Sequence, residues 1–367
     1  MKRSFAQIVE AERKEAVERV LSKVPEWMGA ELTVPSRLAS EQCSSSATAI
    51  DKAGLLRNCK TIADLTGGLG VDSWAFSRTA EKVYHNEIKD SLLKATEKNF
   101  KALGVINVIF SLQYAEDRIK TLPEVDAIYL DPARRDDVGK KVFLVEDCRP
   151  DVLRLLPDLL AKAPKILIKL SPMADPTLLR ERFGAKLREL HVVSLKGEVK
   201  ELLLLLTRED NESTRIIVTN LKDALVFLPE EERDAQAAYP LNLNDVHYLF
   251  EPDPALTKAG AFKLICKRLG LTKLAPSTHL YLSDKPCSFG KSYKILDVFD
   301  MNKAGMKACV AKYPEAEVSA RNVPMSSDEL RSRLGLRPSA DTHIFAVTIE
   351  LQIGSTRKLI VARREKA

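Results

Sequence analysis

The sequence lacks the features that mark secreted, metal-binding or membrane-spanning proteins. Its six cysteines include no C-x-x-C pair, and its five histidines show no metal-ligand spacing, so a zinc ribbon or thioredoxin-like motif is excluded and reduced thiols are predicted. Its apolar runs, such as 202–206, fall far short of the ~20 residues of a membrane-spanning helix. The charged N-terminus has no apolar segment typical of a secretory signal. These absences predict a cytoplasmic protein that uses neither a metal nor a membrane.

The composition is that of a folded protein, but its charge is unevenly distributed. Of 367 residues, 45% are hydrophobic and 29% are charged. At roughly 150 residues per domain, this length predicts two or three domains. Residues 258–367 carry 20 Lys and Arg against 10 Asp and Glu, whereas residues 1–257 carry 37 against 41. The basic last third favours contact with a polyanion, and the alternative is a lysine-rich solvated surface.

Hydrophobic periodicity indicates how the chain is organised. Residues 4–24 predict an amphipathic helix. Between residues 61 and 206, short β-type runs alternate with helical stretches, a pattern typical of a parallel sheet with helices on both faces. Seven strands are predicted, and the tight connection at Lys196-Gly197 makes the last one antiparallel. The polar stretch 208–214 predicts a linker, followed by small α+β modules that include a helix over Lys258–Leu269.

The first predicted strand ends in a glycine turn flanked by carboxylates. The segment from Thr61 to Asp72 reads T-I-A-D-L-T-G-G-L-G-V-D, whose glycines allow a ligand to approach bare backbone. Asp72 stands where a dinucleotide site has its third glycine, and Asp64 adds a second acid. Two carboxylates disfavour a pyrophosphate and favour a ligand with an ammonium group. Glu87, which closes the second predicted strand, is placed to accept the hydroxyls of a ribose.

The motif D-L-T-G-G-L-G-x-D, followed by an acidic second strand, resembles the class I S-adenosylmethionine-dependent methyltransferases over about residues 35–206. The resemblance implies a Rossmann-like seven-stranded core that binds S-adenosylmethionine, with Glu87 holding the ribose. The residues it places around the methionine part are Asp64, Thr66, Gly67, Gly68, Gly70 and Asp72. Gln113 stands where many relatives carry an adenine-binding aspartate, which implies weaker binding. Gln42, Ser44 and Ser45 are candidate donors to the cofactor carboxylate, with helix capping as the alternative.

The resemblance also places Asp131-Pro132 at the end of the fourth strand, facing the reacting centre. Related nucleic-acid amino-methyltransferases carry D/N-P-P followed by an aromatic there, whereas this chain continues with Ala133, Arg134 and Arg135. The two arginines are candidate substrate-binding residues, because an arginine plane stacks on a base or binds phosphate, or they solvate a loop rim. Lys169 contacts either substrate phosphate or a neighbouring acid. Cys148 is expected to be a buried apolar residue, and no cysteine adjoins Asp131, so transfer to nitrogen or oxygen is favoured.

Residues from about 257 onwards resemble the C-terminal modules of a group of methyltransferases with a THUMP-like domain. The matching segments include Lys303–Lys307 and Arg321–Met325. THUMP domains bind RNA, so the resemblance implies an RNA partner such as tRNA or rRNA. The expected organisation is a helical segment, a methyltransferase domain, a ferredoxin-like α+β module and a THUMP-like module, with the bounds 1–57, 58–207, 215–300 and 301–367. The leading interpretation is an RNA methyltransferase, followed by an RNA-interaction protein with little catalysis and then by a small-molecule or protein methyltransferase.

Overall fold

The computed structural model describes residues 5–134, 145–243, 246–339, 341–351 and 354–365. The chain divides into two compact units, the first made of Met1–His191 and Glu201–Thr214 and the second of Val192–Lys200 and Arg215–Ala367. Arg135 lies outside the described residues, and of Arg134 only the backbone is described. No helix of the described residues is long and apolar enough to cross a membrane.

The first unit is built around a mostly parallel sheet. The strands of this unit are β1 (Thr61–Asp64), β2 (Lys82–Glu87), β3 (Val108–Leu112), β4 (Ala127–Leu130), β5 (Ala133–Arg134), β6 (Cys148–Arg149), β7 (Lys165–Leu170), β8 (Leu187–Leu195) and β9 (Glu198–Thr207), of which β5 and β6 form a separate ribbon. The end of β8 and the start of β9, within Val192–Lys200, belong to the second unit. Within a nine-stranded sheet, the core strands follow the order β8-β9-β7-β4-β1-β2-β3. β1, β2, β3, β4 and β7 pair in parallel, whereas β9 is antiparallel to β7. The seven-stranded core with an antiparallel last strand is therefore confirmed.

Helices cover this sheet and carry the N-terminal segment. They are α1 (Phe5–Lys23), α2 (Arg37–Gln42), α3 (Ser46–Leu55), α4 (Val71–Ser77), α5 (Asp90–Ala102), α6 (Ala115–Thr121), α7 (Val152–Lys162) and α8 (Pro176–Phe183). Two helices begin at serine caps, because the hydroxyls of Ser36 and Ser45 accept the backbone N–H groups of Ala39 and Thr48. The capping alternative is therefore confirmed for Ser45. Strands β4, β7 and β9 are almost wholly buried, as expected for a sheet covered on both faces.

The second unit contains a second, mainly antiparallel sheet. Its strands are β10 (Arg215–Thr219), β11 (Ala224–Phe227), β12 (Tyr248–Pro252), β13 (Thr272–Ala275), β14 (Thr278–Ser283), β15 (Gly290–Asp300), β16 (Glu317–Arg321), β17 (Thr342–Leu351) and β18 (Gly354–Arg364). β10 and β11 pair with each other, and the other seven form a sheet in the order β13-β14-β12-β15-β18-β17-β16, in which β16 and β17 are parallel. The helices are α9 (Pro229–Asp234), α10 (Pro254–Lys258), α11 (Leu264–Leu269), α12 (Lys303–Lys312) and α13 (Ser327–Leu334).

One predicted helix of the second unit is wrong. The periodicity over Lys258–Leu269 predicts one helix, but α10 ends at Lys258 and α11 begins at Leu264. Between them Gly260 adopts a φ of +77°, and its N–H donates to Thr257 O at 3.1 Å. A left-handed glycine ends a helix because its conformation breaks the ladder of backbone hydrogen bonds. Two short helices therefore replace the continuous one.

Candidate cofactor and acceptor site

The glycine turn between β1 and α4 requires glycine at two positions, Gly67 and Gly70. A Cβ on Gly67 would lie 2.0 Å from Cε1 of His85, and a Cβ on Gly70 would lie 2.5 Å from Cγ2 of Thr96. Gly70 also adopts a φ of +83°, a region that side chains disfavour. Gly68 has a φ of +55° and open space beside it. The turn therefore packs closely against His85 and Thr96 and leaves its backbone accessible at Gly68.

Glu87 ends β2 and is held next to this turn by backbone donors. Its Oε2 accepts the N–H of Gly68 at 2.8 Å, and its Oε1 accepts those of Ile88 and Lys89, each at 2.8 Å. A carboxylate offers about four lone-pair sites, so at least one acceptor position is free. Glu87 is buried at the base of the cavity described below, where it is fixed in one orientation and can accept a ligand hydroxyl.

Asp64 lies beneath the turn rather than on the cavity wall. It is fully buried, with Thr66 N–H 3.1 Å from Oδ1 and the Ser73 hydroxyl 2.6 Å from Oδ2. Burial raises the pKa of Asp64 to about 8. The Ser73 hydroxyl is also 2.8 Å from Nδ1 of His85, whose burial lowers its pKa to about 3. Asp64 thus supports the turn from below, and its burial argues against the direct ligand contact expected from the sequence.

Asp72, on the first turn of α4, is already paired with a cation. Its Oδ2 accepts the hydroxyls of Ser44 at 2.8 Å and Tyr129 at 3.0 Å, and its Oδ1 is 3.2 Å from Nζ of Lys52. Burial opposes ionisation of Asp72, but Lys52, Lys169 and the two hydroxyls together hold its pKa below the ordinary value. The sequence predicted a free carboxylate that attracts an ammonium ligand. In the structure most of this charge is compensated within the protein.

Lys52 and Glu201 form a buried ion pair that the sequence did not reveal. Nζ of Lys52, on α3, donates to both carboxylate oxygens of Glu201, on β9, at 2.9 and 3.0 Å. Lys52 has no exposed surface, and Glu201 is 2% exposed. Burial lowers the pKa of Lys52, but Asp72 and Glu201 outweigh it, so the net shift is upwards and the ammonium is charged. The signal in the sequence was a charged residue beside the apolar run 202–206.

Asp131 and Lys169 lie at the carboxyl ends of adjacent strands. Asp131 follows β4, Lys169 is on β7, and their side chains form an ion pair. The Asp131 N–H donates to the hydroxyl of Thr66 at 2.6 Å, which links this strand end to the glycine turn. Burial lowers the pKa of Lys169, but Asp131, Asp72 and Glu201 raise it further, so Lys169 is an ammonium. Of the two predicted roles of Lys169, the structure shows the contact with a neighbouring acid.

Several of these groups line one cavity of about 1420 Å³ in the first unit. The predicted site residues on its wall are Gln42, Thr66, Gly67, Gly68, Gly70, Asp72, Glu87, Gln113, Asp131 and Lys169. Pro132 is buried behind Asp131, and the short β5–β6 ribbon pairs Ala133 with Arg149. Further wall residues that the sequence did not indicate include Ile88, Tyr114, Arg149 and Arg154. Cavities for small ligands are commonly 300–1,000 Å³, so this one has room for a nucleoside and a second group.

One cysteine, Cys43, lies on the wall of this cavity. Cys148 is fully buried, as predicted, and all six cysteines are free thiols. Within the part of the chain that the structure describes, His, Cys, Asp and Glu form no cluster that could hold a metal ion.

Comparison with solved structures identifies a relative over nearly the whole chain. A protein of Porphyromonas gingivalis W83, described as a putative methyltransferase, is 34% identical, with a TM-score of 0.84 over 97% of this chain and 90% of its own. A putative methyltransferase from Streptococcus mutans, solved with SAH, is 14% identical, with a TM-score of 0.33 over 42% of this chain and 94% of its own. An rRNA methylase from Streptococcus thermophilus is 16% identical, with a TM-score of 0.33 over 45% and 95%. No curated protein matches the chain.

Family models match the last third of the chain. A ferredoxin-like domain model matches residues 248–289, and a THUMP domain-like model matches residues 290–364. These matches meet within the seven-stranded sheet of the second unit, at the start of β15. Together with the relative that is similar along almost the whole length, they show that the chain belongs to the class I S-adenosylmethionine-dependent methyltransferases with a C-terminal THUMP-like domain.

Proposed function

We propose that this protein transfers a methyl group from S-adenosylmethionine to a nitrogen or oxygen atom of a structured RNA, such as tRNA or rRNA. The observation that carries this proposal is a single cavity with two different ends. One part of its wall is the glycine turn with Glu87, and another is the ion pair of Asp131 and Lys169. A donor and an acceptor can therefore lie side by side, as methyl transfer requires.

The residues around the glycine turn fit S-adenosylmethionine. Gly68 leaves open space above a backbone in the left-handed region, and Glu87 has spare acceptor capacity for ribose hydroxyls. Gln42 and Gln113 are exposed on the cavity wall, where they can donate to the carboxylate and the adenine. When bound, S-adenosylmethionine supplies a methyl group on a sulfonium sulfur. Because Lys52 compensates Asp72, we assign recognition of the amino group to the turn and its carbonyls rather than to a free carboxylate.

Asp131 and Lys169 form the acceptor end. They orient the acceptor, hold its proton and exclude water, which are the contributions expected of an enzyme whose donor is already activated. Thr66 joins this end to the turn through its hydrogen bond with the Asp131 N–H, so both parts of the site are held in one frame. Arg134 and Arg135 follow Asp131 closely in the sequence, and we propose that they contact the substrate.

The RNA partner is supported by the second unit and its charge. Residues 290–364 match a THUMP-like domain, and residues 258–367 carry twice as many basic as acidic residues. A basic module favours a polyanion without selecting its sequence. We propose that the modules of residues 215–300 and 301–367 present structured RNA to the methyltransferase domain of residues 58–207.

Calorimetry and a methyl-transfer assay test the two ends of the cavity separately. Glu87→Ala should weaken S-adenosylmethionine binding by roughly 10-fold to 100-fold, the usual effect of losing hydrogen bonds to a charged group. Glu97→Ala, on the neighbouring helix α5 and outside the cavity wall, is the matched control and should bind normally. Asp131→Ala should bind the donor normally and lose ~10²-fold or more in transfer to RNA. Equal binding by Glu87→Ala, or full activity of Asp131→Ala, would contradict the proposal.

A further inference from the structure

Five charged side chains meet at and behind the acceptor end of the cavity. Lys52 forms ion pairs with Asp72 and Glu201, and Lys169 forms one with Asp131. The charges of Asp72 and Glu201 also raise the pKa of Lys169. These residues come from α3, α4, β7, β9 and the end of β4. Two ammonium groups and three carboxylates share one cluster, in which Lys52, Asp72 and Glu201 are buried and Asp131 and Lys169 are partly exposed. Asp72, Asp131 and Lys169 reach the cavity wall. We call these five residues the charge cluster.

A charged lysine next to Asp131 discriminates between possible methyl acceptors. A hydroxyl oxygen gains negative character as it loses its proton, so a neighbouring ammonium stabilises it. An amine nitrogen instead gains positive character when it is methylated, so the same ammonium opposes it. Lys169 is paired with Asp131 on the cavity wall and is held as an ammonium by three carboxylates. Once Asp131 takes the acceptor's proton it becomes neutral and leaves the Lys169 ammonium beside the acceptor, which favours oxygen over nitrogen.

The strand end also lacks the side chain that grips a base. From Asp131 to Arg134 the chain offers no aromatic ring. Tyr129, two residues earlier, is 1% exposed and donates its hydroxyl to Asp72. Enzymes that methylate the exocyclic amine of a base have an aromatic residue in this motif, which stacks on the base. A base bound at this strand end would lack that stacking partner. A sugar hydroxyl needs no such partner.

We propose that the methyl acceptor is a ribose 2′-hydroxyl of RNA, with Asp131 taking its proton and Lys169 stabilising the developing negative charge on its oxygen. This inference rests on the proposed function, because the 2′-hydroxyl is the one hydroxyl that every internal RNA nucleotide carries. The acceptor oxygen bonds to the methyl carbon as that carbon's bond to the donor sulfur breaks. The bonding electron pair stays on the sulfur, which becomes a neutral thioether, and the hydroxyl proton passes to the Asp131 carboxylate.

Lys52 and Glu201 act as positioning residues in this arrangement. Lys52 balances Asp72 and Glu201, whose charges would otherwise draw Lys169 away from Asp131. The pair has no surface on the cavity, so it acts through Lys169 rather than on the acceptor. Its effect should appear in kcat, with the KM values for RNA and donor unchanged.

Product analysis with the full-length protein tests the acceptor without any variant. Unmodified tRNA and rRNA transcripts, incubated with methyl-labelled S-adenosylmethionine, are digested to nucleosides and examined by mass spectrometry. Cleavage of the glycosidic bond should leave the label on the sugar, and DNA copies of the same sequences should stay unlabelled. A label on the base overturns this inference and leaves the proposed function standing. No label in any RNA, with normal donor binding by calorimetry, overturns both.

Variants of β7 test the assigned roles. Lys169→Met should lower kcat by ~10²-fold or more, the scale of losing a group that stabilises developing charge. Lys165→Met is the matched control, since Lys165 begins the same strand and lies off the cavity wall, and it should have normal activity. Lys52→Arg should retain more kcat than Lys52→Met at unchanged KM. Full activity of Lys169→Met, or a rise in KM alone for Lys52→Met, counts against these roles.

Discussion

Removing the buried ammonium of Lys52 should destabilise the first unit strongly. The side chain has no exposed surface, and its Nζ lies 2.9 Å from Glu201 and 3.2 Å from Asp72. Lys52→Met fills nearly the same volume but leaves two buried carboxylates without their main partner. Breaking one side of a buried ion pair costs about 3–5 kcal/mol, because the remaining charge stays desolvated. Either these carboxylates take up protons or the unit unfolds more easily.

The expected change in melting temperature follows from the size of the unit. The first unit has about 200 residues, and for that size each kcal/mol shifts Tm by roughly 2–4 °C. Lys52→Met should therefore lower the midpoint by roughly 6–20 °C in calorimetry or circular dichroism. The exposed pair of Lys60 and Glu81, at 2.9 Å, provides the control. Lys60→Met should leave the midpoint unchanged, because solvent screens exposed charges.

A double-mutant cycle separates the charge effect from packing. Glu201→Gln combined with Lys52→Met removes the uncompensated carboxylate of β9 and should recover part of the lost Tm. Asp72 keeps its contacts to Ser44 and Tyr129 in both backgrounds. A Lys52→Met protein that melts within a degree or two of wild type would refute the charge argument. A double variant no more stable than Lys52→Met would show that lost packing causes the destabilisation.

Three further results are expected. Because burial raises the pKa of Asp64 from 3.8 to about 8, its contribution to folding is full below pH 3.8 and is lost as pH rises towards 8. In urea unfolding, the free energy of unfolding of Asp64→Asn should therefore fall by about 1.4 kcal/mol less per pH unit in that window than that of wild type. Equal pH slopes of the two free energies would contradict the assignment. Gly67→Ala should reduce stability and donor binding by driving a Cβ into the His85 ring, whereas Gly54→Ala, in open space on α3, should be tolerated. RNA binding by the full chain should weaken steeply as salt rises, and a flat salt dependence in filter binding would rule out phosphate contacts by the basic last third.

Sequence periodicity predicted the core sheet because its strands are nearly continuous apolar runs. β7 and β9 differ from the predicted strands by at most one residue, and the connection at Lys196-Gly197 is too short for a crossover helix. The second unit was harder because several of its strands are too short to show an alternating pattern. β11, β12 and β13 have only four or five residues each and were missed, and the Gly260 break was hidden inside a helical pattern.

The charge cluster could not be predicted from the sequence because its members are far apart in the chain. Lys52 and Glu201 are separated by 149 residues and meet only when α3 packs against the folded sheet. The sequence placed Asp131 and Lys169 at the same edge of the sheet, and a contact with a neighbouring acid was one of the two roles expected for Lys169. The sequence did not reveal which carboxylates near the turn face the cavity, since this depends on which hydrogen-bond donors each carboxylate meets in the folded protein.

Four carboxyl groups around one cavity have different roles because each has a different partner. Asp64 has hydroxyl and amide donors but no cation, so burial keeps it protonated at neutral pH, and it supports the turn. Asp72 is balanced by Lys52 and stays ionised. Glu87 is fixed by three backbone N–H groups with capacity left for a ligand. Asp131 is paired with Lys169 at the strand end and partly open to the cavity. Environment rather than residue type therefore sets the ionisation state of each carboxyl group, and its place in the fold decides what that state can do.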